Sequence, residues 1–262
     1  MNRTRIIVLG EDPRQEYLCR ELNSIGFSAF YYPRGNFEDL TLPEGAACVI
    51  FPIFPPVRLL TRSMDYCKPQ ALLCAGLPSK EFLLTANEHG FSVYDYMSDK
   101  EVAQLNAIAT AEGAIAEALR LSKLNLQGGN CLIIGYGMCG EILAEKCNAL
   151  GANVTICDCD SFKLAHAQSH GLKILSEILD LNTFAYIFNT APSLLLIPPL
   201  LDTMEADSVI IDLASSPGGT DFDACMLKKI PAKLCPSLPA IYAPKSSGII
   251  LANAIKRRLG QF

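Results

Sequence analysis

Three glycines in the second half of the chain have the spacing of a dinucleotide-binding turn. Gly135, Gly137 and Gly140 form the pattern G-x-G-x-x-G within "CLIIGYGMCGEILAEK", after an apolar strand and before a helix. The first glycine permits a tight turn, the second lets a pyrophosphate approach the backbone and the helix start, and the third lets helix and strand pack closely. The alternative is an ordinary strand–turn–helix connection. The other residues of the predicted cofactor turn are Tyr136, Met138 and Cys139.

An acidic residue follows the next strand. Asp158 comes directly after "NVTIC", close to the distance at which a carboxylate binds the ribose diol of such a cofactor. A carboxylate there would repel the additional 2′-phosphate of NADP, and no arginine stands beside it. We therefore expect NAD or NADP as the cofactor, with NAD favoured. The alternative for Asp158 is a polar strand end.

Two later strands end in small and polar residues, in "FNTAPS" and in "IIDLASSPGGTDF". Ligands of open parallel sheets bind at the carboxyl ends of the strands, so we expect both segments to face the nicotinamide half of the cofactor. The second segment has more small and turn-forming residues than a surface turn needs. We interpret them as room for a flat ring, which Asp212 or Ser215 would hydrogen-bond. The residues predicted to contact the cofactor here are Thr190, Ala191, Pro192, Asp212, Leu213 and Ala214.

A helix start near the N-terminus is a candidate anion site. In "GEDPRQ", Asp12 can cap the helix, Pro13 can be its first residue, and Gln15 can be a reciprocal cap. Arg14 could add a bidentate clamp for a carboxylate. The alternatives are simple capping for Asp12 and a solvated first-turn arginine for Arg14.

A second candidate anion site precedes the last helix, in "APKSSG". Lys245, Ser246 and Ser247 lie there, and the helix start itself favours a negative charge. The alternative is a capping serine beside an exposed lysine.

Short apolar runs alternate with helical stretches along the whole chain, which indicates an α/β fold with parallel sheets covered by helices. The rhythm restarts after a long helix near 99–123, so we predict two doubly wound parallel-sheet domains. The first, 1–105, is flavodoxin-like and lies on the substrate side. The second, 106–246, is a Rossmann dinucleotide-binding domain, and a C-terminal helix, 247–262, packs back on the first.

The long linking helix should line the cleft between the two domains. Thr110 and Glu112 lie on it as candidate substrate-binding and catalytic residues, and Gly113 would allow close approach of the backbone. The alternative is a polar helix face in which one glycine is tolerated.

The composition excludes several classes of protein. Half of the 262 residues are hydrophobic and the net charge is −5, which argues against a nucleic-acid-binding protein. No apolar run is long enough to span a bilayer, and the apolar run near the N-terminus is too short for the core of a signal peptide. We therefore expect a cytoplasmic protein without a membrane partner. The 11 cysteines form no zinc-type spacing, and we predict buried free thiols and no metal site.

The histidines argue against a common two-domain chemistry. Dehydrogenases of 2-hydroxy acids use a histidine as acid and base and an arginine as a carboxylate clamp. None of His89, His166 and His170 lies at a strand end of the second half, and Ser215 stands where the arginine would follow "IIDLA". That reaction is therefore disfavoured.

The segments "IIDLASSPGGTDFDA" and "PSLPAIYAPKSSGIILANAI" resemble the dipicolinate synthase A family. The segments "VLGEDPRQ", "NAIATAEGAIAEAL" and "NTAPSLLL" fit the same family, so the resemblance covers nearly the whole chain in matching order. It implies oxidation of a dihydrodipicolinate-type intermediate, diverted from lysine synthesis, to pyridine-2,6-dicarboxylate with NAD(P)⁺. It also implies the flavoprotein-like dipicolinate synthase B as a partner, in the mother cell of a spore-forming bacterium, and we expect a homo-oligomer.

Under this hypothesis, Arg14 and Lys245 orient the two carboxylates of a small dicarboxylate substrate. A base removes the ring proton, and Glu112, Asp212 or Lys245 could serve. Aromatisation supplies much of the driving force, which fits the missing catalytic histidine. Two other possibilities stay open: a non-catalytic nucleotide-binding or regulatory component, and an oxidoreductase that resembles alanine dehydrogenase.

Overall fold

The computed structural model describes residues 3–33 and 41–260. Contacts between residues group the chain into two units, Met1–Asn106 with Ala243–Phe262, and Ala107–Tyr242. The first boundary falls inside one long helix, Lys100–Leu121. That helix begins after Asp99. The Oδ1 of Asp99 accepts hydrogen bonds from the N–H groups of Glu101 and Val102 and so caps the start of the helix.

The first unit contains a five-stranded sheet in which every described pair of neighbours is parallel. Its strands are β1 (Arg5–Leu9), β2 (Ser28–Tyr32), β3 (Ala46–Ile53), β4 (Cys67–Gly76) and β5 (Ser92–Asp95). Its helices are α1 (Pro13–Ser24), α2 (Val57–Met64), α3 (Lys80–Glu88), the first part of α4 (Lys100–Leu121) and, from the end of the chain, α10 (Pro244–Leu259). The strand order β2-β1-β3-β4-β5 is that of flavodoxin-like sheets.

The second unit contains a six-stranded parallel sheet. Its strands are β6 (Asn130–Ile134), β7 (Asn153–Cys157), β8 (Lys173–Leu175), β9 (Tyr186–Asn189), β10 (Val209–Asp212) and β11 (Ala232–Leu234). The helices between and after them are α5 (Met138–Ala149), α6 (Ser161–Ser169), α7 (Pro198–Leu201), α8 (Phe222–Lys228) and α9 (Leu238–Tyr242). The order β11-β10-β9-β6-β7-β8 is that of a Rossmann sheet, and the predicted fold class is confirmed.

Apolar side chains fill both faces of each sheet, as parallel sheets covered by helices require. In β1, Ile6 and Val8 pack with α1 and α10, whereas Ile7 and Leu9 pack with α2 and α3. The last helix begins at Pro244, earlier than the expected 247, because a proline in the first turn fits the helical φ and needs no hydrogen-bond partner.

Candidate functional site

Two glycines of the turn between β6 and α5 are required by the fold itself. Gly135 has a φ of +93°, and a side chain there would meet Thr190 Oγ1 at 2.3 Å. A side chain on Gly140 would lie 2.0 Å from the carbonyl oxygen of Gly135. Thr190 holds the same turn, because its hydroxyl donates to the carbonyl oxygen of Ile134 at 2.9 Å. The helix start and the strand end are therefore packed backbone to backbone.

Gly137 has no such reason to be glycine. Its φ of −93° suits any residue, and apart from its chain neighbours no heavy atom of the described chain lies within 4 Å of an added Cβ. It is the N-cap of the 12-residue α5 and provides no side-chain hydrogen bond to the helix start. The space in front of these N–H groups is open, and a pyrophosphate that approaches the backbone there fits it. The next two residues flank this opening: Met138 is exposed and Cys139 is half-buried.

Asp158 lies at the end of β7, buried beside the glycine-rich turn. Its Oδ2 accepts the N–H of Tyr136 at 2.7 Å, and its Oδ1 accepts the N–H of Asp160 at 2.9 Å. Lys163 Nζ, from α6, lies 3.5 Å from Oδ2. Burial alone would raise the pKa of Asp158, but the two N–H groups and the ammonium keep this pKa below its usual value. The carboxylate therefore shapes the turn, and Lys163 is a cation at this position that the sequence analysis missed.

Asp212, at the end of β10, is fully buried and serves as a structural acceptor. Its Oδ1 accepts Asn189 Nδ2 and the N–H of Ala214, both at 3.0 Å. Its Oδ2 accepts the N–H of Gly219 at 2.8 Å and Thr220 Oγ1 at 2.7 Å. A role of Asp212 as a base or as a partner of the nicotinamide is not favoured by this geometry, because four donors from its own chain bond its two oxygens.

The small residues after β10 also pack against their own chain. A side chain on Gly219 would meet Asn189 Nδ2 at 2.4 Å and the carbonyl oxygen of Ser193 at 2.5 Å. Gly218 has a φ of +92° and lies against Asp212. The predicted room for a flat ring is therefore filled at Gly219 by the end of β9 and the loop after it, and at Gly218 by Asp212 and Leu234. Of the other residues expected here, Ala214 is buried, Ala191 and Leu213 are half-buried, and Pro192 and Ser215 are exposed.

The start of α1 joins Asp12 and Arg14 in a close ion pair. Asp12 Oδ1 accepts the backbone N–H of Arg14 at 2.9 Å and also its Nε at 2.9 Å. Arg14 is only 5% exposed. Burial would raise the pKa of Asp12, but the adjacent guanidinium lowers it below its usual value. Arg14 is therefore neither a solvated arginine nor a guanidinium without a partner.

Gln15 is not the reciprocal cap that the sequence predicts. Its Nε2 donates instead to the carbonyl oxygen of Leu9 at 2.6 Å, and its buried Oε1 has no hydrogen-bond partner among the described residues. The same oxygen lies 2.5 Å from the Cβ position of Gly10, whose φ is +128°. The side chain thus locks the end of β1 to the start of α1.

The start of α10 lies against the start of α1. A side chain on Gly248 would be 2.7 Å from the carbonyl oxygen of Arg14 and 2.8 Å from the N–H nitrogen of Leu18. The N-cap of α10, Ala243, provides no side-chain hydrogen bond. The first turns of both helices are thereby brought together, each with one of the two predicted carboxylate anchors. At this start of α10, Lys245 and Ser246 are exposed and Ser247 is buried.

The candidates on α4 have other partners. Glu112 is exposed and pairs with Lys146 Nζ at 2.9 Å. A side chain on Gly113 would meet the ring of Tyr242 at 2.8 Å, so this glycine allows packing of its own chain. Thr110 is half-buried. The proposed role of Glu112 as a base is therefore not favoured, because its carboxylate faces a lysine on the surface.

A buried acid on α4 was missed in the sequence analysis. Glu117 accepts Tyr242 OH at 2.8 Å, Arg120 Nη2 at 2.7 Å and Lys233 Nζ at 2.9 Å. The hydrogen bond from Lys233, with those from Tyr242 and Arg120, lowers the pKa of Glu117 to about 2. Only the spacing of Glu117 and Arg120 on one helix was visible in the sequence.

The chain matches no protein-family model. It is 27% identical to dipicolinate synthase A of Bacillus subtilis, over 98% of its own length and 96% of that protein. The crystal structure of dipicolinate synthase A from Bacillus halodurans is 25% identical and superposes with a TM-score of 0.83 over 99% of each chain. The chain is thus similar to dipicolinate synthase A in sequence and in fold over nearly its whole length. The resemblance stated from the sequence segments is thereby confirmed.

The fold of this chain also occurs in dehydrogenases. A D-lactate dehydrogenase from Treponema pallidum superposes with a TM-score of 0.68, at 16% identity, over 96% of this chain and 95% of that one. At this identity the likeness concerns the fold alone. In the part of the chain that the structure describes, no helix combines the length and the apolar character that a membrane crossing needs.

Proposed function

We propose that this chain binds NAD(P)⁺ and oxidises a dihydrodipicolinate-type intermediate to pyridine-2,6-dicarboxylate. The observation that carries the proposal is the open position at Gly137, in front of an uncapped helix start, in a chain that is similar to dipicolinate synthase A over nearly its whole length. Neither its backbone conformation nor its packing requires glycine there, whereas an approaching pyrophosphate does.

The residues around the turn divide the binding of the cofactor between them. The N–H groups at the start of α5 receive the pyrophosphate, and Gly137 leaves it room. Asp158 holds the backbone at Tyr136 and, with Lys163 beside it, lies where the adenosine ribose is expected. Bound there, the cofactor supplies a hydride acceptor at C4 of its nicotinamide ring.

The first unit provides the groups that suit the carboxylates of the substrate. Arg14 offers a guanidinium held in place by Asp12, and Lys245 and Ser246 lie at the uncapped start of α10. The reaction removes one hydride and one proton from the dihydro ring, giving the pyridine, reduced nicotinamide and a free proton. Of the three groups considered as a base, we retain the exposed Lys245, with the carboxylate bound by Ser246 and the N–H groups of the helix start, because Asp212 and Glu112 are engaged elsewhere.

A second protein is part of this proposal. The relatives from both Bacillus species are named as one of the lettered components of dipicolinate synthase, and we propose that this chain also works with a flavoprotein-like dipicolinate synthase B. A specific observation favours a rival function, that of a non-catalytic nucleotide-binding component: two of the three acids and bases considered for the chemistry are engaged in other contacts.

Turnover by the purified chain separates the two functions. Dihydrodipicolinate is generated in situ, NAD⁺ or NADP⁺ is added, and reduced nicotinamide and pyridine-2,6-dicarboxylate are followed together. Formation of both with the chain alone supports the catalytic proposal. If the cofactor binds but neither product forms, even at high enzyme concentration, the non-catalytic function is correct for the isolated chain. Addition of dipicolinate synthase B then tests whether activity needs both proteins.

A further inference from the structure

Two large apolar residues end neighbouring strands of the first sheet in a left-handed backbone conformation. Phe54 follows β3 with a φ of 54°, and Leu77 follows β4 with a φ of 47°. Their side chains are 72% and 42% exposed. Both features are unfavourable for the stability of the chain alone. A residue with a Cβ is strained at positive φ, and an exposed apolar side chain contributes no free energy of burial to folding.

The surrounding chain fixes the strained conformation of Phe54. Its N–H donates to the carbonyl oxygen of Gly76 at 2.8 Å, which ties the end of β3 to the end of β4. Pro55 follows directly, and a residue before proline is otherwise pushed towards extended conformations. A glycine at 54 would satisfy the same backbone without strain. The aromatic ring therefore needs a reason outside folding stability, and strained residues of this kind concentrate at ligand sites.

The carboxyl edge that Phe54 occupies also carries the candidate carboxylate anchor. Pro52, two residues before Phe54, lies 3.0 Å from the Cβ position of Gly10, at the turn that leads into Arg14. Below Phe54, Tyr96 OH donates to the carbonyl oxygen of Phe51 at 3.0 Å. The edge thus combines a buried guanidinium with an exposed flat apolar group.

We propose that Phe54 stacks on the ring of the dicarboxylate, which becomes flat in the pyridine product, and distinguishes cyclic from acyclic dicarboxylates, with Leu77 beside it. A ring that bears carboxylates needs both a charged anchor and an apolar face, and Arg14 with Phe54 offers that combination on one sheet edge. The inference rests on the proposed function and names a residue that recognises the ring of its substrate.

A fluorescence experiment tests the contact without turnover. The chain has no tryptophan, so Phe54→Trp introduces a single indole at the proposed contact. The matched control is Gln70→Trp, because Gln70 is also exposed and left-handed, with a φ of 60°, but lies near the start of β4 rather than at its end. Pyridine-2,6-dicarboxylate should change the emission of the first variant saturably and leave the control unchanged. Glutarate, which has two carboxylates and no ring, should change it much less.

Kinetics give the second measurement. Phe54→Gly removes the ring and relieves the backbone, so its Tm should not fall, whereas KM for the dihydro substrate should rise about tenfold with a smaller effect on kcat. Phe54→Tyr should restore KM. Gln70→Gly makes the same backbone change and should leave KM as in the wild type.

The outcomes separate this inference from the function on which it rests. If the wild-type chain turns over the substrate but Phe54→Gly keeps the wild-type KM, or if both tryptophan variants respond alike, Phe54 has no such role and the function stands. If the wild-type chain neither turns over the dihydro substrate nor binds the pyridine dicarboxylate, both fail together.

Discussion

Asn189 Nδ2 donates a 3.0 Å hydrogen bond to Oδ1 of the fully buried Asp212, and this bond joins the ends of β9 and β10. Both strands end at the edge of the sheet where a Rossmann fold binds its cofactor. The acid there thus connects the segments that follow the two strands through hydrogen bonds within its own chain.

Asp212→Ala should therefore lower the free energy of unfolding by about 3 kcal/mol or more, because four donors lose their buried acceptor. Urea unfolding of the variant measures this change. A variant with wild-type stability that has lost only kcat would contradict the structural role and restore Asp212 as a candidate base.

Gly137 and Gly140 should respond differently to alanine. Gly137→Ala has room for its methyl group and should keep the wild-type Tm, yet it should weaken dinucleotide binding at least about tenfold by occupying the space of the pyrophosphate. Gly140→Ala should cost about 1–3 kcal/mol of stability because its methyl group meets the backbone of Gly135. Calorimetric titration with NAD⁺ and thermal unfolding check the two effects. Unchanged NAD⁺ affinity in Gly137→Ala would contradict the cofactor site.

Asp158 and Lys163 should shift the preference between the two cofactors in opposite directions. Asp158→Ser removes the charge that repels a 2′-phosphate, so the ratio of NAD⁺ to NADP⁺ affinity should fall about tenfold. Lys163→Ala removes the neighbouring cation and should raise that ratio. Titrations of both variants with each cofactor measure the ratio. Equal ratios in both variants and the wild type would exclude this end of β7 as the specificity element.

Glu117 should make the stability of the second unit depend on pH in the acidic range. Its pKa of about 2 in the folded chain lies below the ordinary value of 4.5, so its contribution is fully present above that value and is lost as the pH falls towards 2. At pH 7, Glu117→Gln should lower Tm by about 5 °C. The difference in Tm from the wild type should shrink between pH 4.5 and pH 2. A difference that stays constant over this range would show that the charge contributes nothing.

The parts of the site that could be predicted from the sequence depend on neighbours in the chain. The glycines of the cofactor turn, the strands on either side and the Asp12 cap are local patterns, and the structure retains their geometry. The roles of Asp212 and Gly113 could not be predicted in this way, because their partners at Asn189 and Tyr242 come from distant segments.

The same limit explains the missed residues. Gln15 has a capping pattern, but the carbonyl oxygen of Leu9 is nearer once β1 and α1 pack together. Glu117 has one partner on its own helix, and its other partners follow β10 far along the chain. In the sequence Phe54 resembles any other apolar residue, because neither its left-handed φ nor the exposure of its side chain can be predicted from the residues around it.

The central claim is that the chain passes a hydride from a dihydro dicarboxylate to a nicotinamide held at Gly137. The most direct measurement counts pyridine-2,6-dicarboxylate and reduced nicotinamide formed by the wild-type chain and by Gly137→Val under the same conditions. We predict equal amounts of the two products from the wild type and neither from the variant, which should keep its fold. Pyridine dicarboxylate that forms without reduced nicotinamide, or at the same rate in both chains, would contradict the account.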